Sequence, residues 1–254
     1  MMSALRSHWR LYLMEAGGLA TFMISACLFA VILEHPDSVV RQLLGDEFAR
    51  RALMGSAMGL TAVAIIYSPW GKKSGAHINP SVTLAFLRLG RIKFPDALFY
   101  VLAQFGGGVA GVLIAWVLLG ARLAHQPPNF VVTAPGMNGV VVAFAAEAAI
   151  SAILMLAVLF VSSSKFASCA GLCAGALVAV YIAFEAPFSG MSMNPARTFG
   201  SALAAGDVTG LWIYFIAPPL GMLLAASLYQ SLSTRGGCAK LYHVKDVHCI
   251  FCQE

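Results

Sequence analysis

The apolar residues of this chain fall into six long runs, separated by shorter polar stretches, at about residues 9–33, 52–67, 94–119, 140–161, 166–184 and 211–232. A helix crosses the hydrocarbon core of a bilayer in about 20 residues, so the runs predict six membrane spans. Two further apolar runs, 82–89 and 198–205, are too short to cross. Both follow the same opening. Ser74-Gly75-Ala76-His77-Ile78-Asn79-Pro80-Ser81 leads into the first, and Ser189-Gly190-Met191-Ser192-Met193-Asn194-Pro195-Ala196 into the second. In each copy Asn is placed to cap a helix that starts at Pro, whose missing N–H would have had no partner there. The pattern therefore predicts two half-helices, 79–89 and 194–205, entered through unwound backbone. Such backbone survives at membrane depth only where it is buried in protein or lines a water-filled cavity. A cavity is the first functional expectation.

Three spans and one half-helix fall in residues 1–119, and three spans and one half-helix in 120–232. An odd number of crossings per half gives the halves opposite orientations, so the half-helices enter from opposite faces and meet near the midplane. Glu15 in the first span and Glu147 in the fourth occupy similar places in their halves, as a repeat requires. Between the halves, residues 120–138 carry Pro127-Pro128 and Pro135-Gly136 as breakers. The pairs Gly55/Gly59, Gly107/Gly111 and Gly171/Gly175 have the small-xxx-small spacing that lets helices approach closely within a bundle. The fold class is an all-α membrane protein of six transmembrane helices and two re-entrant half-helices arranged as an inverted repeat.

Composition agrees. Of 254 residues, 59% are hydrophobic and 11% charged, and the mean hydropathy is +0.81. This excludes a soluble one-core domain. The net charge of +5 would suit a nucleic-acid partner, but its distribution argues otherwise. Arg6, Arg10, Lys72, Lys73, Arg88, Arg91, Lys93, Lys165, Arg235, Lys240 and Lys245 fall on one side of the predicted topology. The other side holds Arg41, Arg50, Arg51 and Arg122. The excess of Lys and Arg places both termini in the cytoplasm of a plasma (cell inner) membrane protein, although Arg50 and Arg51 flank a span from the outer side. Residues 1–10 form a short basic lead to an apolar run long enough to span rather than be cleaved. No Ser/His/Asp set, HExxH or pair of catalytic carboxylates falls in one cavity, which argues against an enzyme.

One Asn-Pro pair is a common turn signal; two, each preceded by Ser-Gly and three residues, in opposite halves of a six-span chain, are specific. On these residues the chain resembles the aquaporin (major intrinsic protein) family, over about residues 10–232. The resemblance implies an hourglass fold, a pore in each subunit, a homotetramer and no required cofactor. The physics of the motif agrees. Asn79 and Asn194 would face each other at mid-pore with their amide N–H groups free for a passing oxygen. Ala76, His77, Ile78, Ser192 and Met193 would offer a line of backbone carbonyls. Two helix N-termini, each worth roughly half a positive charge, would oppose a dehydrated cation. Arg197, one turn into the second half-helix, is a functional candidate as a guanidinium in a membrane segment, with an ion pair to Glu185 as its structural alternative. The resemblance makes it the charged member of an outer filter, completed by Met58 (or Gly59), Ile182 and Met191. Water-selective relatives place an aromatic, a His and a small residue there, and glycerol channels two aromatics and a Gly; this chain has neither set. Thr198, Ala202 and Tyr214-Phe215 lean towards the water type. Glu15 and Glu147 are expected to hold the lead-ins in place, with His77 as a partner for Glu147, rather than to relay protons. The function expected is a passive channel for water and small neutral solutes that excludes protons and ions. The alternatives are a solute-preferring channel of the glycerol- and ammonia-conducting type and an ion-coupled secondary transporter, for which no coupling-ion site is evident.

The tail, 233–254, is polar and rich in Cys and His. Cys238, His243, Cys249 and Cys252 have the spacing C-x4-H-x5-C-x2-C, with His248 as a spare, and resemble a small structural zinc module. A thiol redox role and an unstructured tail are the other readings. On a cytoplasmic side the thiols would stay reduced, which argues against a disulfide framework. Cys27, Cys169 and Cys173 are expected as small packing residues.

Overall fold

The computed structural model describes residues 1–233, 237–243 and 249–252. His248, Arg235 and Lys245 lie outside the described residues. Among the described residues twelve α-helices follow one another: α1 (Met2–Glu34), α2 (Val39–Leu43), α3 (Glu47–Tyr67), α4 (Pro69–Ser74), α5 (Pro80–Arg88), α6 (Phe94–Leu119), α7 (Ala121–Ala124), α8 (Gly139–Ser162), α9 (Ala170–Phe184), α10 (Ala186–Ser189), α11 (Pro195–Ala205) and α12 (Leu211–Leu232). Six of these segments are long and apolar enough to cross a membrane. The third and sixth spans have the expected bounds. The first starts earlier, because the basic lead continues the helix, and the fifth opens on a short 3-10 turn, Ala167–Cys169. The four short helices α2, α4, α7 and α10 were not legible in the apolar pattern. Each is only one turn or so long, which is too short to show a periodicity.

Local chemistry explains the boundaries. Asp46 caps α3 by accepting from the Ala49 N–H at 2.6 Å, and Ser68 caps α4 by accepting from Gly71 N–H at 3.0 Å. The single turns α4 and α10 end on Gly75 (φ 100°) and Gly190 (φ 78°), left-handed positions that glycine takes without steric cost. These two glycines turn the chain into the two lead-ins.

Within the first half α1 packs on α6, within the second α8 packs on α12, and α3 against α9 joins the halves. At that joint a Cβ on Gly59 would lie 2.5 Å from the Gly175 carbonyl oxygen, so neither position tolerates a side chain. Each half-helix packs chiefly on the last span of the other half, α5 on α12 and α11 on α6. The bundle is thus interlocked through its centre. Its outside is apolar, with Leu113, Val117, Val141, Ile153, Leu224 and Leu228 exposed, as a lipid-facing surface requires. Residues 239–242 and Phe251 pack beneath α4 and the first lead-in. That side is called the terminal face below, and the side holding α2 and α7 the far face.

Candidate functional site: a pore between two half-helices

Each lead-in is held in a backbone conformation that ordinary residues avoid. Ala76 (φ 54°) and Ile78 (φ 40°) in the first, and Met191 (φ 50°) and Met193 (φ 54°) in the second, are left-handed. Such residues cost on the order of 1–3 kcal/mol each and persist only where their surroundings over-determine them. Here the surroundings are carboxylates. Glu15, fully buried, accepts from His77 N–H at 3.1 Å and Ile78 N–H at 2.6 Å. Glu147, also fully buried, accepts from Ser192 N–H at 2.6 Å and Met193 N–H at 2.8 Å. Alternating the backbone's hand points successive N–H groups to one side and successive carbonyls to the other. With these N–H groups committed to the carboxylates, the carbonyls are left on the other side, and Ala76, His77, Ile78, Ser192 and Met193 all line the central cavity.

The expected pairing of His77 with Glu147 is corrected. His77 belongs to the lead-in that Glu15 holds, because each carboxylate supports the lead-in of its own half. The His77 ring turns away from both: Nδ1 lies 3.0 Å from Thr83 Oγ1, and Nε2 lies 2.6 Å from the Ala239 carbonyl oxygen. A carbonyl can only accept, so Nε2 carries the proton and Nδ1 accepts from Thr83.

At the centre, Asn79 Oδ1 accepts from Ser81 N–H, and Asn194 Oδ1 from the N–H groups of Ala196 and Arg197. Their caps fix both amides. Asn79 Nδ2 donates to Met193 O at 2.7 Å, and Asn194 Nδ2 donates to Ile78 O at 2.8 Å. This refines the expectation that both amides are wholly free. One N–H of each Asn ties the opposite lead-in, and among the described residues the other has no protein partner. Likewise Ile78 and Met193 each spend one carbonyl lone pair on the cross-tie.

A cavity of about 560 Å³ follows this seam. Its lining begins with Glu34, Arg41 and Arg51 at the far face, passes Arg197, Asn194 and Asn79, and reaches His77 and Leu241 at the terminal face. Met58, Ile182, Met191 and Arg197 all line it; Gly59 instead faces α9. Among the described residues no ion pair joins Arg197 to Glu185. The guanidinium donates to Thr133 Oγ1 from the inter-half loop. Phe22, Met155, Val158 and Val178 make much of the remaining wall apolar.

Three supports went unnoticed in the sequence. Tyr100 Oη donates to Ser74 O at 2.7 Å and Tyr214 Oη to Ser189 O at 2.6 Å, fixing the last turn before each lead-in. Matching the third span to the sixth would have found this pair. Gln104 Nε2 donates to Glu15 at 2.9 Å and to Thr83 at 3.1 Å, and an amide within an apolar span was a visible signal. Thr133 sits in an irregular loop with no pattern to reveal it.

The tail brings its predicted ligands together. Cys238 and Cys249 Sγ lie 3.2 Å apart, Cys252 Sγ lies 3.2 Å from His243 Nε2, and the four ligand atoms are all within 4.8 Å of one another. Contact with the Cys238 thiol, together with the backbone N–H groups of Phe251 and Cys252, holds the Cys249 thiol well below its ordinary value. The donor set, three soft sulfurs and one imidazole, suits a tetrahedral zinc.

Six spans thus enclose two half-helices that meet tip to tip, with paired amides on the cavity between them. The chain belongs to the major intrinsic protein family, whose family model matches residues 3–229. It is 40% identical over 174 residues to aquaporin NIP1-3 of Oryza sativa subsp. japonica, covering 68% of this chain and 59% of that protein. It is 34% identical over 202 residues to aquaporin NIP1-1 of Arabidopsis thaliana, covering 77% and 67%. With aquaporin A of Dictyostelium discoideum the identity is 35% over 195 residues, covering 74% and 68%. The matched region thus spans about 59% of the rice relative's length. The backbone is also similar to the X-ray structure of the aquaglyceroporin from Plasmodium falciparum, with a TM-score of 0.71 and 21% identity over 89% of this chain and 97% of that one. This last likeness is one of fold. The relatives are channels of a non-enzyme family.

Proposed function

We propose that the protein is a passive channel for water and small neutral solutes that excludes protons and ions. One observation carries this reading: a cavity running from Glu34 and Arg41 at the far face to His77 and the docked Leu241 is apolar along much of its wall and polar at its midpoint, where Asn79 and Asn194 each keep one amide N–H unspent. A neutral molecule replaces its lost hydrogen bonds there; a cation meets two half-helix N-termini and Arg197 instead. In this reading both termini are cytoplasmic, the membrane is the plasma (cell inner) membrane, and the chain assembles as a homotetramer with a pore in each subunit. The positive-inside bias supports the orientation, and the apolar exterior leaves ample surface for assembly. The repeat boundary falls at 119/120. A zinc ion on Cys238, His243, Cys249 and Cys252 belongs to the same reading, and the pore itself needs no cofactor.

A specific observation favours a solute-tolerant variant of this function. Met58, Ile182 and Met191 give hydrocarbon and thioether wall to the cavity that Arg197 also lines. With no His among them, fewer groups compensate a dehydrated water, and flexible Met side chains let the aperture adapt. Ammonia, hydrogen peroxide or glycerol should therefore pass beside water. Stopped-flow light scattering on proteoliposomes, comparing water with glycerol and ammonia, tests this. Solute flux above that of empty vesicles supports it, whereas water flux alone would restrict the channel to water.

A further inference from the structure

The residues after α12 return to the pore. Leu241 N–H donates to Gly75 O at 3.1 Å, His77 Nε2 donates to Ala239 O at 2.6 Å, and Lys240 Nζ donates to Lys72 O at 2.9 Å. Phe251 stacks on the His77 ring, with centroids 6.0 Å apart, and meets Tyr100 edge-on. Tyr242 packs edge-on against Tyr67 and lies under the Lys72 ammonium. Ala239, Lys240 and Leu241 are buried by these contacts, and Leu241 forms part of the cavity wall at the terminal mouth.

The position of the ligands relative to these contacts is informative. Residues 239–242 lie between Cys238 and His243, and Phe251 lies between Cys249 and Cys252. Each docking residue is therefore flanked on both sides by a ligand. One ion bound to all four would close both loops and fix the docking residues in the shape that fits the mouth. The geometry is close to what zinc needs. A tetrahedron with Zn–S of about 2.3 Å and Zn–N of about 2.0 Å has edges of about 3.5–3.8 Å, and the observed ligand separations, 3.2 Å for two pairs and at most 4.8 Å overall, bracket that value. Zinc would bind all three sulfurs as thiolates and leave a neutral imidazole as the fourth ligand.

Without the ion, the described residues of this segment form no helix or sheet that would stabilise it. Ordering such a chain costs entropy in every residue, against a handful of hydrogen bonds and ring contacts. Metal ligation is the contribution that decides in small metallo-modules. We propose that Cys238, His243, Cys249 and Cys252 form a zinc site that locks the tail across the terminal mouth, so that the loaded site narrows the pore and its emptying opens it. The inference rests on the channel function proposed above. Leu241 is the narrowing element: at a mouth where carbonyls would accept from water it presents hydrocarbon, which a single file of water wets poorly.

The test uses the full chain in proteoliposomes, purified without chelators from zinc-supplemented culture. Metal analysis should find about one zinc per chain. A membrane-permeant chelator should raise osmotic water flux by about threefold or more, and restored zinc should lower it again. The double variant Cys249→Ser/Cys252→Ser should lack zinc, conduct at the high rate, and ignore the chelator. Leu241→Ala should keep its zinc yet conduct faster in the loaded form, which separates the plug from the ligands. Absence of zinc, a Cys238–Cys249 disulfide in its place, or equal flux in loaded and emptied forms would overturn the gate while leaving the channel intact. No water flux in any form, the double variant included, would instead overturn the channel function on which the gate rests.

Discussion

The two copies of the Asn-Pro motif share a scaffold and differ in what each places at its mouth. Glu15 matches Glu147, Ser74 matches Ser189, Tyr100 matches Tyr214, Thr83 matches Thr198, and each Asn ties the other's lead-in. Of the departures, three concern polar or charged groups. His77 stands where the second copy has Ser192, Val82 where it has Arg197, and Gln104 where it has Pro218, a residue within α12. A Pro has no amide to offer, and Glu147 takes its third hydrogen bond from Ser189 Oγ at 2.8 Å. Ser192 bonds locally to Thr198, whereas the His77 ring reaches past Thr83 to the tail. The shared residues build the pore, and the unshared ones distinguish its ends. One mouth carries a guanidinium, and the other a docked segment.

This comparison can be broken at its shared core first. Glu15→Ala and Glu147→Ala should be the most damaging substitutions, and about equally so. Each orphans two buried N–H groups, at about 1–3 kcal/mol apiece, and releases two left-handed residues from restraint. Thermal unfolding in detergent should show both midpoints falling together. Tolerance of one would mean that the carboxylates are not equivalent. Gln104→Leu should cost only about 1 kcal/mol, because Glu15 keeps its two backbone donors.

The difference between the mouths comes next. Arg197→Val gives the second copy the residue that the first has at Val82. A unit charge at 4 Å contributes about 4 kcal/mol at an effective dielectric of 20, so proton or cation leak should rise tenfold or more while neutral flux persists. Dye-reported proton flux in proteoliposomes checks this, and an unchanged leak would remove Arg197 from the exclusion mechanism.

The smallest effect concerns the aperture. Ile182→His restores a polar contact in the cavity that Arg197 also lines and should lower glycerol or ammonia flux relative to water by about fivefold, equivalent to roughly 1 kcal/mol in relative barrier. An unchanged ratio would show that Ile182 does not set the constriction.

Much of this is legible in the sequence, for physical reasons. The span lengths follow from the bilayer's thickness, and the half-helices from Asn and Pro at fixed cap positions, both of which are local signals. The duplication of Glu15 and Glu147 could be seen because a charge in an apolar run stands out. What stayed hidden was set by long-range geometry. Whether His77 faces Glu15 or Glu147 depends on which half folds over which lead-in, and nothing near residue 77 encodes that. Thr133 reaches Arg197 from an irregular loop. The tail's ligands were evident from spacing, but that residues 239–241 would lie against Gly75 and His77 was not, since no pattern in the tail names its dock.

The most direct test of the central claim measures osmotic water flux and ionic current on the same proteoliposomes, using the full chain with Cys249→Ser/Cys252→Ser so that the tail is not fixed by metal. The expected result is rapid vesicle shrinkage, independent of any proton or sodium gradient, with current no greater than that of protein-free membranes. Shrinkage no faster than in empty vesicles, or flux that saturates and requires an ion gradient, would contradict a passive pore between Asn79 and Asn194.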